Sequence, residues 1–254
     1  MRRFAAFLAL VLMGASIATA APEAGALIAV ASNFKEAQDA LAKRFEEKTG
    51  HRIESVYSST GKIYAQTTFG APYDAFLSAD TKHVDLLIEA DLALKPTRFT
   101  YAVGRLALYS THFEDMSKGA ALLDAPGIVH VAMANPGLAP YGLAASQTLE
   151  KLNAWKRLQP KLVQGENIAQ AFQYVKSGAA ELGFVALSQV IKLDTKRYWP
   201  VPPEFHDPIR QDGVVLAHGK ENPVAQAYLE FLKGDDARDI IRRFGYALDG
   251  DGPR

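Results

Sequence analysis

Hydroxyl and amide side chains stand at four places where the sequence pattern predicts the start of a helix. These places are Ser32-Asn33, Ser58–Thr60, Pro140–Gly142 and Glu166–Ile168. A helix start carries backbone N–H groups without acceptors and the positive end of the helix dipole. Hydroxyls and amides add further hydrogen-bond donors, so each place could hold an anion. Four such places in one chain indicate a ligand held by convergent helix starts.

The first of these places has the clearest local pattern. The apolar run 27–31 predicts a buried strand that ends at Ser32. Apolar residues then recur at helical spacing, at Phe34, Ala37, Leu41 and Phe45. Ser32 and Asn33 are preferred N-cap residues, and Glu36 follows as in a capping box. The sequence therefore predicts a strand that passes directly into a helix capped by Ser32 and Asn33.

The hydrogen-bond donors at the four predicted helix starts are mostly uncharged, which limits the kind of anion they could bind. None of them contains Arg, so a bidentate guanidinium clamp is not expected. Lys35 and Lys62 lie just inside two of the helices, where a solvated face is the favoured interpretation. A small dianion can be held by many N–H groups and hydroxyls alone. A protonated anion would need an acceptor, and Glu166, the one candidate there, can equally cap its own helix.

Sequence signatures of catalysis are absent. The chain has no G-x-S-x-G, H-E-x-x-H, P-loop or G-x-G-x-x-G pattern, and its six His residues lack metal-ligand spacing. Asp74 and Asp80 bracket a short predicted strand, where capping is favoured over paired-carboxylate catalysis. We therefore expect a non-enzyme without a cofactor. A secreted α/β hydrolase using Asp74, Asp80 or a His is a remote alternative.

The N-terminus and the composition predict an exported protein. Residues 1–20 have a basic start, an apolar middle and small residues at the end, which is typical of a signal peptide cleaved after Ala20. The chain has no Cys, which excludes disulfides and a lipid-bearing Cys. Removal of Arg2 and Arg3 leaves 26 basic and 28 acidic residues, a net charge of −2 that does not suit nucleic acid. We expect a free periplasmic protein.

Strand-like and helix-like segments alternate along the chain, which favours an α/β fold. Two long extended segments, Phe99–Ser110 and Ile209–His218, are candidates for strands that cross between two lobes. Lobe 1 is then discontinuous, comprising residues 21–103 and 214–254, and lobe 2 comprises residues 104–213. The ligand would lie in the cleft between them.

In several segments the chain resembles the periplasmic molybdate-binding proteins of ABC uptake systems, which are type II periplasmic solute-binding proteins. The segments that carry the resemblance are 29–33, 58–66, 70–80, 135–142, 152–155, 166–168, 228–234 and 243–246. The resemblance implies two α/β lobes joined by crossing strands, with molybdate or tungstate closed between them. It also implies a monomer that delivers its ligand to a membrane permease and carries out no catalysis.

The resemblance places the oxyanion ligands at Ser32, Asn33, Ser59, Thr60, Tyr141 and Ile168. At the second helix start it leaves open whether Ser59 or Thr60 supplies the hydroxyl. Ile168 matches an aliphatic residue that donates its backbone N–H. Some members have a ligand-binding tyrosine where this chain has Ala186. Our hypothesis is that the Tyr141 hydroxyl replaces the one that is missing there.

A second interpretation keeps the fold and changes the ligand. Sulfate, phosphate, another oxyanion or a small organic acid could occupy the same cleft. Sulfate and molybdate share charge and shape, so the size of the cavity would have to distinguish them. The sequence itself gives no cavity size.

Overall fold

A computed structural model describes residues 25–250, which form two five-stranded sheets with helices packed against them. The strands are β1 Gly25–Ala31, β2 Arg52–Ser58, β3 Ala75–Leu77, β4 Phe99–Gly104, β5 Leu106–Tyr109, β6 Val131–Ala134, β7 Leu162–Gly165, β8 Leu182–Ala186, β9 Tyr198–Pro200 and β10 Ile209–Val215. The helices are α1 Lys35–Thr49, α2 Thr60–Thr68, α3 Lys82–Glu89, α4 Pro140–Lys151, α5 Trp155–Leu158, α6 Ile168–Lys176, α7 Leu187–Val190, α8 Pro223–Lys233 and α9 Asp235–Arg243. The predicted signal peptide and its cleavage after Ala20 lie outside the described residues.

The first sheet has the strand order β2-β1-β3-β10-β4 and forms the core of lobe 1. β1 lies parallel to β2 and β3, whereas β10 is antiparallel to β3 and β4. The face of α1 predicted from the apolar spacing is buried here, at Phe34, Ala37, Leu41 and Phe45. It packs with residues of α8 and α9 in one apolar cluster. Both ends of the described chain therefore contribute to this lobe.

The second sheet has the strand order β7-β6-β8-β5-β9 and forms the core of lobe 2. β6 lies parallel to β7 and β8, and β5 runs antiparallel to β8 and β9. Every residue of β5, β6 and β8 is buried, as expected for strands covered on both faces. The mixed α/β architecture that the alternating pattern predicted is thus found in both lobes.

Two connections join the lobes. The first runs from β4 through Arg105 into β5, and the second is the segment 201–208 that leads into β10. β10 pairs with lobe 1 strands from its first residue, since Ile209 lies opposite Gly104. Residues 209–213, which the sequence analysis assigned to lobe 2, therefore hydrogen-bond within the lobe 1 sheet. The reason for this correction is backbone pairing, because β10 is hydrogen-bonded to β3 and β4 along its length.

The two leucines near the ends of α4 differ in burial, because Leu143 is 49% exposed while Leu149 is buried. The buried face of α4 instead uses small residues such as Ala144 and Ala145, which let this helix approach the sheet closely. Within residues 25–250, no helix combines the length and the apolar character needed to cross a bilayer.

Candidate functional site

A small cavity lies between the two lobes, with a volume of about 10 Å³. Sites for drug-sized ligands are far larger, at roughly 300–1,000 Å³. The structure brings all six candidate residues of the sequence analysis to this cavity. Its lining consists of Ala31, Ser32, Asn33, Ser58, Ser59, Thr60, Ala79, Ala139, Pro140, Tyr141, Asn167 and Ile168. A volume this small suits a single small inorganic ion.

Helix starts from both lobes surround the cavity. α2 begins at Thr60 in lobe 1, and α4 and α6 begin at Pro140 and Ile168 in lobe 2. At the remaining one of the four places, a 3-10 turn, Ser32–Phe34, links β1 to α1. N–H groups at such starts have no acceptor within the helix, and the aligned dipoles favour negative charge. The geometry is therefore that of an anion site.

Ser32 and Asn33 line the cavity but do not cap a helix, which corrects the capping prediction. The structure gives neither the 3-10 turn nor α1 a side-chain cap hydrogen bond. Ser32 is 6% exposed, and its hydroxyl bonds to no residue between 25 and 250, so it is available to a ligand. The Asn33 amide instead donates to Gln211 Oε1 at 2.9 Å. A contact between Asn33 and a ligand would therefore come from its backbone N–H.

The second helix start separates the two candidate hydroxyls. Thr60 Oγ1 accepts a hydrogen bond from Ala79 N at 3.0 Å. Ser59 Oγ is buried, and no partner for it lies among residues 25–250. An unsatisfied buried hydroxyl costs free energy unless something else bonds to it. Ser59 Oγ is therefore the group here that most clearly lacks a partner and lines the cavity.

Tyr141 belongs to the first turn of α4 and is 1% exposed. Gln211 Nε2 donates to its hydroxyl oxygen at 3.3 Å, which leaves the phenolic proton for another acceptor. Burial raises the pKa of the Tyr141 hydroxyl well above its usual range, so the group remains a donor at neutral pH. A Cβ at Gly104 would overlap this hydroxyl, so glycine at the lobe connection makes room for it.

Ile168 opens α6 and is 2% exposed. Asn167 caps this helix, because its Oδ1 accepts from Gln170 N at 3.1 Å. Ala186 does not line the cavity. Its backbone N–H donates to Gln189 Oε1 at 2.9 Å, and Gln189 Nε2 lies 3.4 Å from the Ile168 carbonyl. Gln189 thus connects the backbone at Ala186, the position of the tyrosine in some family members, to the first residue of α6.

Charged side chains lie around the cavity rather than in its wall. No acidic or basic residue is found among the described residues that line it. Lys35 pairs with Asp39 one turn along α1 at 2.6 Å. Lys62 Nζ lies 3.1 Å from Glu166 Oε2 and so bridges the lobes. Glu166 therefore pairs with a lysine rather than capping α6. The wall offers hydroxyls and N–H groups, and its side chains carry no formal charge.

The residues of the alternative hydrolase hypothesis lie elsewhere. Ser78 Oγ and His83 Nδ1 both contact the Asp80 carboxylate, at 3.2 and 2.7 Å. A nucleophile needs its hydroxyl on the imidazole, whereas this serine bonds to the aspartate. Asp74 accepts from Leu27 N at 2.8 Å and lies 3.0 Å from His218 Nδ1. These carboxylates hold the fold together, and the geometry does not favour catalysis.

Metal ligands do not cluster in the part of the chain that the structure describes. Within residues 25–250, no group of three or more His, Cys, Asp or Glu side chains could hold a metal ion.

Three residues near the cavity were not identified from the sequence. Gln211 lies on β10, Ser188 on α7 and Tyr246 after α9, and each contributes a hydrogen bond to the group around Asn33. They are 155 to 213 positions from Asn33 in the chain. No local pattern marks them, because only the tertiary fold brings them together.

Comparison with known proteins assigns the chain to a family. The model of the bacterial extracellular solute-binding proteins matches residues 26–247. The chain belongs to this family. The two-lobed α/β fold and the interlobe cavity agree with that assignment, as does the resemblance found in the sequence.

Two relatives are similar over nearly their whole length. The molybdate-binding protein ModA of Azotobacter vinelandii is 43% identical over 242 residues, which cover 94% of this chain and 96% of the relative. ModA of Rhodobacter capsulatus is 42% identical over 249 residues, covering 98% and 97%. The solved periplasmic molybdate-binding protein of A. vinelandii superposes with a TM-score of 0.82 at 36% identity, covering 88% of this chain and 99% of that one. The predicted resemblance to molybdate-binding proteins is confirmed by these relatives.

The contrast between Ser59 and Thr60 predicts different effects of their substitution on the stability of the ligand-free protein. Thr60→Val should lower the free energy of unfolding by about 1–3 kcal/mol, because Ala79 N–H loses its buried acceptor. Ser59→Ala should leave it unchanged or raise it, because the hydroxyl has no partner among the described residues. Urea unfolding of the two variants beside the parent measures both effects. A destabilising Ser59→Ala would show that this hydroxyl already has a structural role.

Proposed function

We propose that this chain is a periplasmic receptor that captures molybdate or tungstate between its two lobes and delivers it to the permease of an ABC importer. It carries out no catalysis and uses no cofactor, and the oxyanion is its transported ligand. Lobe closure by hinge motion would trap the ligand in the cavity. We further propose that the receptor works as a monomer and does not bind nucleic acid.

The observation that carries this proposal is the chemistry of the cavity wall. Hydroxyls of Ser32 and Ser59 line it together with the starts of three helices and a 3-10 turn. Hydrogen bonds to an ionised acceptor are stronger than neutral ones, so many of them can offset the desolvation of a dianion. The ligand would be contacted by Ser32, Asn33, Ser59, Thr60, Tyr141 and Ile168.

The relatives support the same ligand class. The two homologous proteins above 40% identity are both named for molybdate binding, and the solved one is described as periplasmic. These names agree with a signal peptide at residues 1–20 and with a mature protein outside the cytoplasm. The docking of the loaded receptor onto a permease is part of the proposal.

The wall also bears on which oxyanion is preferred. No side-chain carboxylate lines it within the described residues, so a proton on a bound anion would find no acidic acceptor there. Phosphate carries a proton at neutral pH and is disfavoured for this reason. Sulfate is fully ionised like molybdate, so we propose that cavity size separates the two. Either a sulfate receptor or an organic-acid receptor would be distinguished by competition.

Titration calorimetry of the mature, ligand-stripped chain with sodium molybdate tests the proposed function. We expect one site per chain, because residues 25–250 bring one set of converging helix starts to this cavity. The isotherm should be unchanged by a large excess of sulfate or phosphate. Saturating molybdate should also raise the free energy of unfolding by about a few kcal/mol. The increase is RT times the logarithm of the ratio of free molybdate concentration to Kd.

Two results would contradict this assignment. If molybdate and tungstate give no heat and no thermal shift, the ligand is of another class. If sulfate displaces molybdate at comparable concentration, the chain is a general receptor for tetrahedral dianions. Ser59→Ala provides an internal check, because it should weaken molybdate binding without destabilising the ligand-free protein.

Replacement of the Tyr141 hydroxyl tests whether it substitutes for the one missing at Ala186. Tyr141→Phe should weaken molybdate binding by about 1–2 kcal/mol, the value of one hydrogen bond to a charged group. Tyr101→Phe is the matched control, because its hydroxyl lies 3.0 Å from the same Gln211 but Tyr101 does not line the cavity. Equal affinity of Tyr141→Phe and the parent in calorimetry would eliminate this role for Tyr141.

A further inference from the structure

A buried group of uncharged side chains joins the two lobes behind the cavity. Asn33 Nδ2 donates to Gln211 Oε1 at 2.9 Å and to the Tyr246 hydroxyl at 3.1 Å. The Asn33 carbonyl accepts from the Tyr246 hydroxyl at 2.7 Å and from Ser188 Oγ at 2.9 Å. Ser188 is 5% exposed, and Tyr246 is equally buried. The Asn33 residue is therefore held at both its side chain and its carbonyl.

The donors and acceptors of this group balance. A carbonyl oxygen has two lone pairs, so Asn33 O can accept from Ser188 and Tyr246 together. Each hydroxyl has one proton, and both are used in this way. The Tyr246 hydroxyl also lies 3.0 Å from Ser188 Oγ, a contact that shares the Tyr246 proton and adds no further donor. The Tyr246 oxygen then accepts from the Asn33 amide. Burial raises the pKa of Tyr246 and keeps the phenol protonated, so the arrangement persists across neutral pH.

Ser188 is the member of this set that comes from the other lobe. It lies on α7, whose neighbours Leu187 and Val190 pack with β5 and β8 in lobe 2. Tyr246 and Phe34 pack in the lobe 1 core. The bond from Ser188 Oγ to Asn33 O thus connects lobe 2 to the turn Ser32–Phe34, of which Ser32 and Asn33 line the cavity.

The bonded carbonyl fixes the orientation of a potential ligand donor. The Asn33 carbonyl and the Phe34 N–H belong to one planar peptide group. Two hydrogen bonds on the oxygen therefore fix the direction of the Phe34 N–H, which closes the Ser32–Phe34 turn immediately before α1. N–H groups in such a first turn lack intrahelical acceptors and are free for an anion. Polarisation along the hydrogen-bonded peptide also strengthens this donor.

We propose that Ser188 is a positioning residue for the bound oxyanion: its hydroxyl transmits the position of lobe 2 to the Ser32–Phe34 turn and aligns the turn's N–H groups on the ligand. The proposal rests on the proposed function, in which the lobes close on an anion. If Ser188 has this role, loss of its hydroxyl weakens ligand binding more than it destabilises the open, ligand-free protein.

Ser188→Ala compared with Ser146→Ala tests this proposal. Ser146 is also a buried serine of lobe 2, but its hydroxyl donates to Leu143 O within α4. Molybdate affinity is measured by calorimetry, release by stopped-flow fluorescence, and the unfolding midpoint with and without molybdate. We expect Ser188→Ala to bind about five-fold more weakly, the effect of one buried hydrogen bond, through faster release. Ser146→Ala should bind like the parent.

The stability readout separates positioning from a structural role. Ser188→Ala should keep the ligand-free midpoint of the parent and lose part of the rise that molybdate causes. Tyr246→Phe should lower the ligand-free midpoint as well, because its partner Asn33 lies in the same lobe. Parental affinity in Ser188→Ala, or equal weakening in Ser146→Ala, would overturn the proposal. Failure of the parent itself to bind molybdate would instead count against the proposed function.

Discussion

The structure depends on one electrostatic constraint: a dianion enclosed between the lobes must be stabilised by a wall whose side chains carry no opposing charge. The cavity meets this constraint with hydroxyls and with helix starts from both lobes. Each helix start adds unpaired N–H groups and a partial positive charge. Because these contributions come from two lobes, none of them acts fully until the lobes are together.

The second requirement is that the helix starts be held in place. β10 has a β-bulge between Gln211 and Asp212, and both side chains are buried. Gln211 joins the group around Asn33, while Asp212 accepts from Arg98 Nε and Thr100 Oγ1, each at 2.7 Å. A bulge can re-aim consecutive side chains in this way. One irregular point in β10 thus places one side chain in the polar group around Asn33 and the next in a hydrogen-bond network of lobe 1.

Contacts between the lobes complete the closed arrangement. Gly61 N donates to Leu138 O at 2.9 Å, so one backbone donor of α2 is bonded across the cleft. Lys62 and Glu166 form an ion pair at the rim, and Lys192 pairs with Glu36 at 3.2 Å on α1. Exposed pairs of this kind contribute little each, about 0–1 kcal/mol. The buried polar contacts near Asn33 are therefore the stronger candidates for coupling closure to binding.

Local sequence signals predicted the parts of the site that are themselves local. The strand-to-helix turns could be predicted because the spacing of apolar residues changes at Ser32, Ser59 and Ile168. The structure places all three residues at one cavity. The capping role of Ser32 was wrong, because a 3-10 turn precedes α1 and leaves that hydroxyl unused. Ser188 and Gln211 were not predictable, since their partners are more than 150 residues away. The pairing of β10 from Ile209 likewise follows from tertiary contacts that periodicity does not encode.

Proton exchange on binding tests the central claim most directly. Molybdate would be titrated calorimetrically at neutral pH in Tris and in HEPES, two buffers with different enthalpies of ionisation. The donors of the wall are hydroxyls and N–H groups, and the raised pKa of Tyr141 keeps its phenol protonated. The account predicts equal heats in both buffers, and therefore no proton taken up or released. A buffer-dependent heat equivalent to about one proton would contradict it, because a titrating group or a protonated ligand would then take part in binding.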